Sequence, residues 1–162
     1  VPASPFGKYE KTIVLNSFSK SHGATGWRVG YVVAPTPVVE AMLKIQQYSF
    51  VCSPTPLQAA LAKGDLYATP DTLNNYRKKR DFICDALAGH YEFTKPNGAF
   101  YLFFKAPSKY ESSQKFVETC ISNNLLVVPG NVFSRRDTHV RLSFAASARN
   151  LERGVEVLLK LK

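Results

Sequence analysis

Thr12-Ile13-Val14-Leu15-Asn16 and Val29-Gly30-Tyr31-Val32-Val33-Ala34 are short, β-branched and almost continuously apolar. Runs of that length between turn residues predict buried strands. Thr36 and Pro37 then predict a helix start, with threonine as N-cap and proline at the first helical position. Val38, Val39, Met42 and Ile45 follow at helical spacing and predict one buried face. Ser53-Pro54-Thr55-Pro56 breaks the chain, and residues 57–62 read as a short helix.

Thr69-Pro70-Asp71 predicts the start of a longer helix, in which Leu73, Tyr76, Arg80, Ile83, Leu87 and Tyr91 recur at spacings of three and four. That stripe leaves Arg77 to Arg80 first of all as a solvated face. The helix is the expected domain boundary, dividing the chain into 1–69 and 70–162. Beyond it strand and helix alternate. Residues 98–104 (Gly-Ala-Phe-Tyr-Leu-Phe-Phe), 125–128 and 139–144 predict strands. Residues 114–123 predict a helix burying Phe116, Val117, Cys120 and Ile121. Ser147 is the expected cap of a last helix whose Leu151, Val155 and Leu158 face inward. The second part is therefore expected to be a compact α+β layer of helices on a small sheet, within an α/β chain.

Composition narrows the function classes. At 162 residues the chain can bury a core as one domain or two small ones. The net charge of +9 raises nucleic acid or anionic lipid as partners. The positive residues are dispersed, however, and no arginine–aromatic platform or DNA-reading motif accompanies them, so nucleic acid is not expected. No apolar run approaches the ~20 residues that span a bilayer, so no membrane is expected either. Val1-Pro2-Ala3-Ser4-Pro5 lacks the order of a secretory signal. The chain also lacks an initiator methionine and is expected to be cleaved, truncated or incompletely represented. Cys52, Cys84 and Cys120 are widely spaced and do not combine with His22, His90 or His139 at zinc-ligand spacing. The expectation is no metal, and reduced, buried thiols in a cytoplasmic or organellar protein.

The most informative segment is Ser17-Phe18-Ser19-Lys20-Ser21-His22-Gly23-Ala24-Thr25-Gly26-Trp27-Arg28-Val29-Gly30. A lysine leaves a predicted strand into a run of hydroxyl and glycine residues, with an arginine eight positions later. A deprotonated lysine amine is a nucleophile that captures an aldehyde. A guanidinium offers phosphate oxygens a planar fork of donors, and the hydroxyls of Ser17 and Ser19 can add neutral hydrogen bonds. Gly23, Gly26 and Gly30 permit close backbone approach and positive φ. A turn with a solvated lysine is the competing reading, and the residues alone leave the two level. Arg141, in a predicted strand between Val140 and Leu142, needs an anionic partner. A substrate and a structural salt bridge are equally open for it on these grounds.

This segment resembles the lysine signature of the fold-type I, pyridoxal 5'-phosphate (PLP)-dependent aminotransferases of classes I and II. Three further segments agree in order: Tyr76 to Asp81, Lys95-Pro96-Asn97-Gly98-Ala99-Phe100-Tyr101, and Val128-Pro129-Gly130 followed by residues 139–145. The resemblance covers almost the whole chain. It implies that Lys20 forms the Schiff base to PLP, that Ser17 and Arg28 bind the cofactor phosphate, and that Arg141 clamps the substrate α-carboxylate. It places Asn97-Gly98 near the active-site entrance and gives His22 no role. Tyr31, Tyr48 and Tyr101 are expected to pack in the core, and Trp27 against the strand.

The implied activity is transfer of an amino group between an amino acid and a 2-oxo acid, in a homodimeric parent. Two alternatives share the same residues: a PLP-dependent C–S β-lyase and a non-catalytic PLP-binding regulatory module. The family's carboxylate partner to the pyridine nitrogen lies upstream of the lysine, and only Glu10 is acidic among the residues before Lys20. The chain is therefore expected to be the C-terminal part of such an enzyme: the end of the large-domain sheet plus the small C-terminal domain. By itself it is expected to expose apolar surface and to be inactive.

Overall fold

The computed structural model describes residues 4–64 and 70–162. By internal contacts the chain divides into two compact units, Val1–Thr69 and Pro70–Lys162. The expectations placed on Val1 to Ala3 and on Thr69 lie outside the described residues.

The first unit is a hairpin followed by two helices. Strand β1 (Val14–Ser17) pairs antiparallel with β2 (Gly30–Val33), Ser17 standing opposite Gly30 at the end of the ladder. Between them lie a one-turn helix, α1 (Phe18–Ser21), and a 3-10 turn at Thr25–Trp27. Helices α2 (Thr36–Ser49) and α3 (Thr55–Lys63) complete the unit. Both carry proline in their first turn, where its missing N–H leaves no intrahelical bond unmade. Pro35 occupies the N-cap of α2, so Thr36 is the first helical residue rather than the cap.

The predicted burial of this unit is not observed. Leu15 is 69% exposed, Tyr31 is exposed, and α2 contains no buried residue, with Met42, Leu43 and Ile45 all open to solvent. The elements form where local pattern put them, but a two-stranded ladder has too little surface to cover their apolar faces. Thr12, Ala24, Val29 and Leu61 are the buried residues here among those described. Tyr48, expected in a core, is 91% exposed, and Trp27 also reaches solvent.

The second unit encloses a true core. Helix α4 (Pro70–Leu87) leads to strand β3 (Tyr101–Lys105), helix α5 (Ser113–Ser122), the short strand β4 (Val128–Pro129), strand β5 (His139–Ser143) and helix α6 (Ala148–Lys160). The sheet has the order β3-β5-β4 with both pairings antiparallel, so β5 is central. Leu102, Phe104, Val140 and Leu142 alternate onto one face and pack with Ile83, Leu87, Phe116, Cys120, Leu151 and Leu158. The inward stripe of α6 and its Ser147 cap, which accepts from the Asn150 N–H, match their expectations. In α5 Phe116, Val117 and Cys120 are buried, but Ile121 faces solvent. Of the α4 stripe, Ile83 and Leu87 are buried and Leu73 is exposed. Arg77 and Lys78 are solvated as expected, whereas Lys79 and Arg80 are half-buried.

Candidate functional site

Ser17, Lys20 and Arg28 all belong to the connection between β1 and β2, and hydrogen bonds close that connection on itself. Ser17, in extended backbone, caps α1: its Oγ accepts from the Ser19 N–H at 3.1 Å. Among the described residues its hydroxyl hydrogen has no acceptor and is left to donate. The Phe18 N–H donates to the Val29 carbonyl at 3.2 Å, extending the ladder one step past Ser17. Ser21 Oγ donates to the Ser17 carbonyl and Thr25 Oγ1 to the Ser19 carbonyl at 2.9 Å. Lys20 is therefore carried on a pinned helical turn within the hydroxyl and glycine run that follows β1. Its side chain is exposed. His22 closes the turn, its N–H donating to the Phe18 carbonyl and its ring standing edge-on to that of Phe18.

Arg28 stands at the other end of the connection in the left-handed conformation, φ 54° and ψ 38°. A non-glycine residue there is uncommon and is held by its surroundings. Here the holder is Ser53, whose Oγ donates to the Arg28 carbonyl at 3.3 Å. The guanidinium folds back so that Nη1 donates to the Thr25 carbonyl at 3.2 Å. Among the described residues the fork makes no other hydrogen bond, so four of the five N–H bonds of a guanidinium remain for a ligand. The glycines divide differently from expectation. Gly23 uses positive φ, Gly30 is required because a Cβ would lie 2.5 Å from the Asn16 carbonyl oxygen, and Gly26 needs neither.

Arg141 belongs to the second unit and sits on the central strand β5, half-buried. Among the described residues no carboxylate comes within ion-pair distance of it, so the structural salt bridge is not found. Two aromatic rings flank it instead: the Tyr101 and Phe133 centroids each lie 4.4 Å from Cζ. Tyr101 is thus a wall of this site and only half-buried, not a core residue. Phe133 was not singled out by sequence, although its position three residues after Gly130 was a signal that could have found it.

The loop carrying Asn97 and Gly98 is tethered to α4. Asp81 accepts from Lys95 Nζ at 2.7 Å and pairs with Arg80 at 2.9 Å, and Arg80 Nη1 makes a long bond to the Pro96 carbonyl. The Lys95 ammonium and the Arg80 guanidinium hold the Asp81 carboxyl below its ordinary range. Tyr31 Oη accepts from Asn16 Nδ2 at 3.1 Å across the hairpin, on an exposed face. Among the described residues no group of His, Cys, Asp and Glu is arranged to hold a metal ion. Nor is any helix among them long and apolar enough to cross a membrane.

The chain is 34% identical to the aromatic-amino-acid aminotransferase 2 of Thermococcus litoralis, over 98% of this chain and 43% of that protein. It is 33% identical to an aspartate aminotransferase of Pyrococcus abyssi, again over 98% and 43%. The crystal structure of an aromatic aminotransferase from Pyrococcus horikoshii superimposes with a TM-score of 0.86 at 32% identity, covering 95% of this chain and 43% of that one. The chain thus spans about two fifths of the length of the relatives it matches. Residues 3–158 match the family described as aminotransferase class I and II, and the chain belongs to that family.

Proposed function

We propose that the protein containing this chain is a PLP-dependent aminotransferase, moving an amino group between an amino acid and a 2-oxo acid. Class I and II aminotransferases are PLP-dependent. The observation that carries the reading for this chain is the hydrogen-bonded connection between β1 and β2, which bears Ser17, Lys20 and Arg28 on one short segment. That donor set fits an aldehyde-bearing phosphate ester: two groups for the phosphate and one nucleophile for the aldehyde.

In this reading Arg28 and Ser17 bind the phosphate, the first bidentately and the second through its hydroxyl hydrogen. Lys20 Nζ would hold the aldehyde end of the cofactor and would move the proton at the substrate α-carbon as a general acid–base. When bound, PLP supplies the electron sink for the charge left on that carbon. Arg141 receives the substrate α-carboxylate on its fork. The first unit is the end of the PLP-binding large domain and the second the small C-terminal domain, in a homodimeric protein. The relatives named above are aminotransferases, which supports transamination over C–S elimination or a regulatory role.

The test is borohydride reduction of the protein expressed from its complete gene, followed by peptide mass spectrometry. Reduced cofactor is expected on Lys20 alone. A Lys20→Ala variant that still yields the reduced adduct would overturn the assignment. Release of pyruvate and a thiol from a cysteine conjugate, without amino transfer to a 2-oxo acid, would favour the lyase.

A further inference from the structure

Gly130, Phe133, Tyr101 and Arg141 form one arrangement on the face of the three-stranded sheet that points away from the core. In the β3–β5 register Phe103 stands opposite Arg141 and Tyr101 opposite Ser143, so Tyr101 is the diagonal neighbour of Arg141 on that face. Strand β4 ends at Pro129, and Gly130 begins a 3-10 turn, Gly130–Val132. A Cβ on Gly130 would lie 2.6 Å from the His139 carbonyl oxygen and 3.3 Å from Phe103 Cζ, so the turn passes as close to β5 as backbone allows. The Phe133 N–H donates to the Gly130 carbonyl at 2.9 Å, which closes the turn and delivers the Phe133 ring to Arg141. Phe133 is 49% exposed, with the Arg141 guanidinium over its ring.

We infer that Phe133 and Tyr101 are positioning residues that hold the Arg141 guanidinium between their rings and aim its fork at the substrate carboxylate. Rings attract a guanidinium through their π faces and offer no acceptor to its N–H bonds. They therefore fix the side chain without consuming the in-plane donors, which a structural carboxylate would consume. Among the described residues those donors have no hydrogen-bond partner. An aromatic clamp thus restrains the arginine while leaving it able to bind an anion. The inference rests on the substrate role proposed above for Arg141.

The experiment uses the PLP-loaded protein expressed from its complete gene and follows cofactor absorbance in a single turnover. The donors are L-alanine and ethylamine, which lacks the carboxylate. Phe133→Leu keeps an apolar side chain and removes the ring. Its apparent dissociation constant for alanine should rise about two- to fivefold, the size of one cation–π contact at a partly exposed site, with the ethylamine reaction unchanged. Phe133→Tyr should restore wild-type behaviour. An unchanged alanine constant in Phe133→Leu, or equal losses with alanine and ethylamine, overturns the clamp. Arg141→Ala separates the two ideas. If it weakens alanine selectively while Phe133→Leu does not, the clamp alone fails. If it does not discriminate the two donors, the role of Arg141 fails and the clamp with it.

Discussion

Gly130 and His139 stand so close that a Cβ on the first would lie 2.6 Å from the carbonyl oxygen of the second. His139 begins the strand that carries Arg141, and Gly130 begins the turn that carries Phe133. The two backbones must touch for ring and guanidinium to meet.

Gly130→Ala forces one of those backbones to move, because a carbonyl oxygen cannot rotate away as a flexible side chain would. Overpacking of this kind typically destabilises by about 1–3 kcal/mol. The expected result is a lower urea midpoint together with weaker binding of the amino-acid substrate. Both readouts unchanged would show that the turn can relax.

Arg28→Lys keeps the charge and loses the bidentate fork, and with it the bond to the Thr25 carbonyl. Cofactor affinity should fall about tenfold, the worth of one charge-assisted hydrogen bond at the lower end of its range. Titration of the apoprotein with PLP, followed by fluorescence, measures it. Arg28→Gly would relieve the left-handed backbone, so it should bind PLP less well yet not lose stability.

The three thiols should differ in reactivity. Cys52 is exposed in the link between α2 and α3, contrary to the expectation of buried thiols, while Cys84 and Cys120 lie in the core of the second unit. Burial pushes the Cys120 thiol up to about 12 and raises that of Cys84. Iodoacetamide at pH 8 should label Cys52 and leave the other two protected until the unit unfolds. The sign for stability follows. A folded-state pKa above the unfolded 9.0 means that the Cys120 contribution is intact below pH 9 and is lost as pH rises from 9 towards 12. Substituting Cys120 with alanine should flatten that alkaline limb while lowering stability at neutral pH.

Tyr91 follows α4, and its buried hydroxyl donates to the Leu158 carbonyl at 2.7 Å, tying the segment to α6. Tyr91→Phe removes this donor. Because the same carbonyl also accepts from the Leu161 N–H, it is not left bare, and the loss should be about 1 kcal/mol rather than the larger penalty of an orphaned group. Chemical denaturation of wild type and variant decides it; a loss above about 3 kcal/mol would point to a repacked core.

Local pattern was a sound guide where a segment's own residues settle the matter. The α6 stripe of Leu151, Val155 and Leu158, the Ser147 cap and the strand character of β3 and β5 each follow from residues within one element. The signature from Ser17 to Gly30 and the ordered segments after it likewise identified the family, because residue types at fixed separations are a property of the chain itself. Burial was not legible in the same way. Leu15 and Ile45 are as apolar as Leu102 or Phe104, yet only the latter are covered, since cover depends on which other elements pack there. The left-handed backbone at Arg28, the necessity of glycine at positions 30 and 130, and the pairing of Phe133 with Arg141 are decided by contacts between residues distant in sequence. By itself the sequence determined most of the elements and pointed to Ser17, Lys20, Arg28 and Arg141 as candidate groups. Only the tertiary structure, which brings separate segments within van der Waals reach, decided how those groups are held.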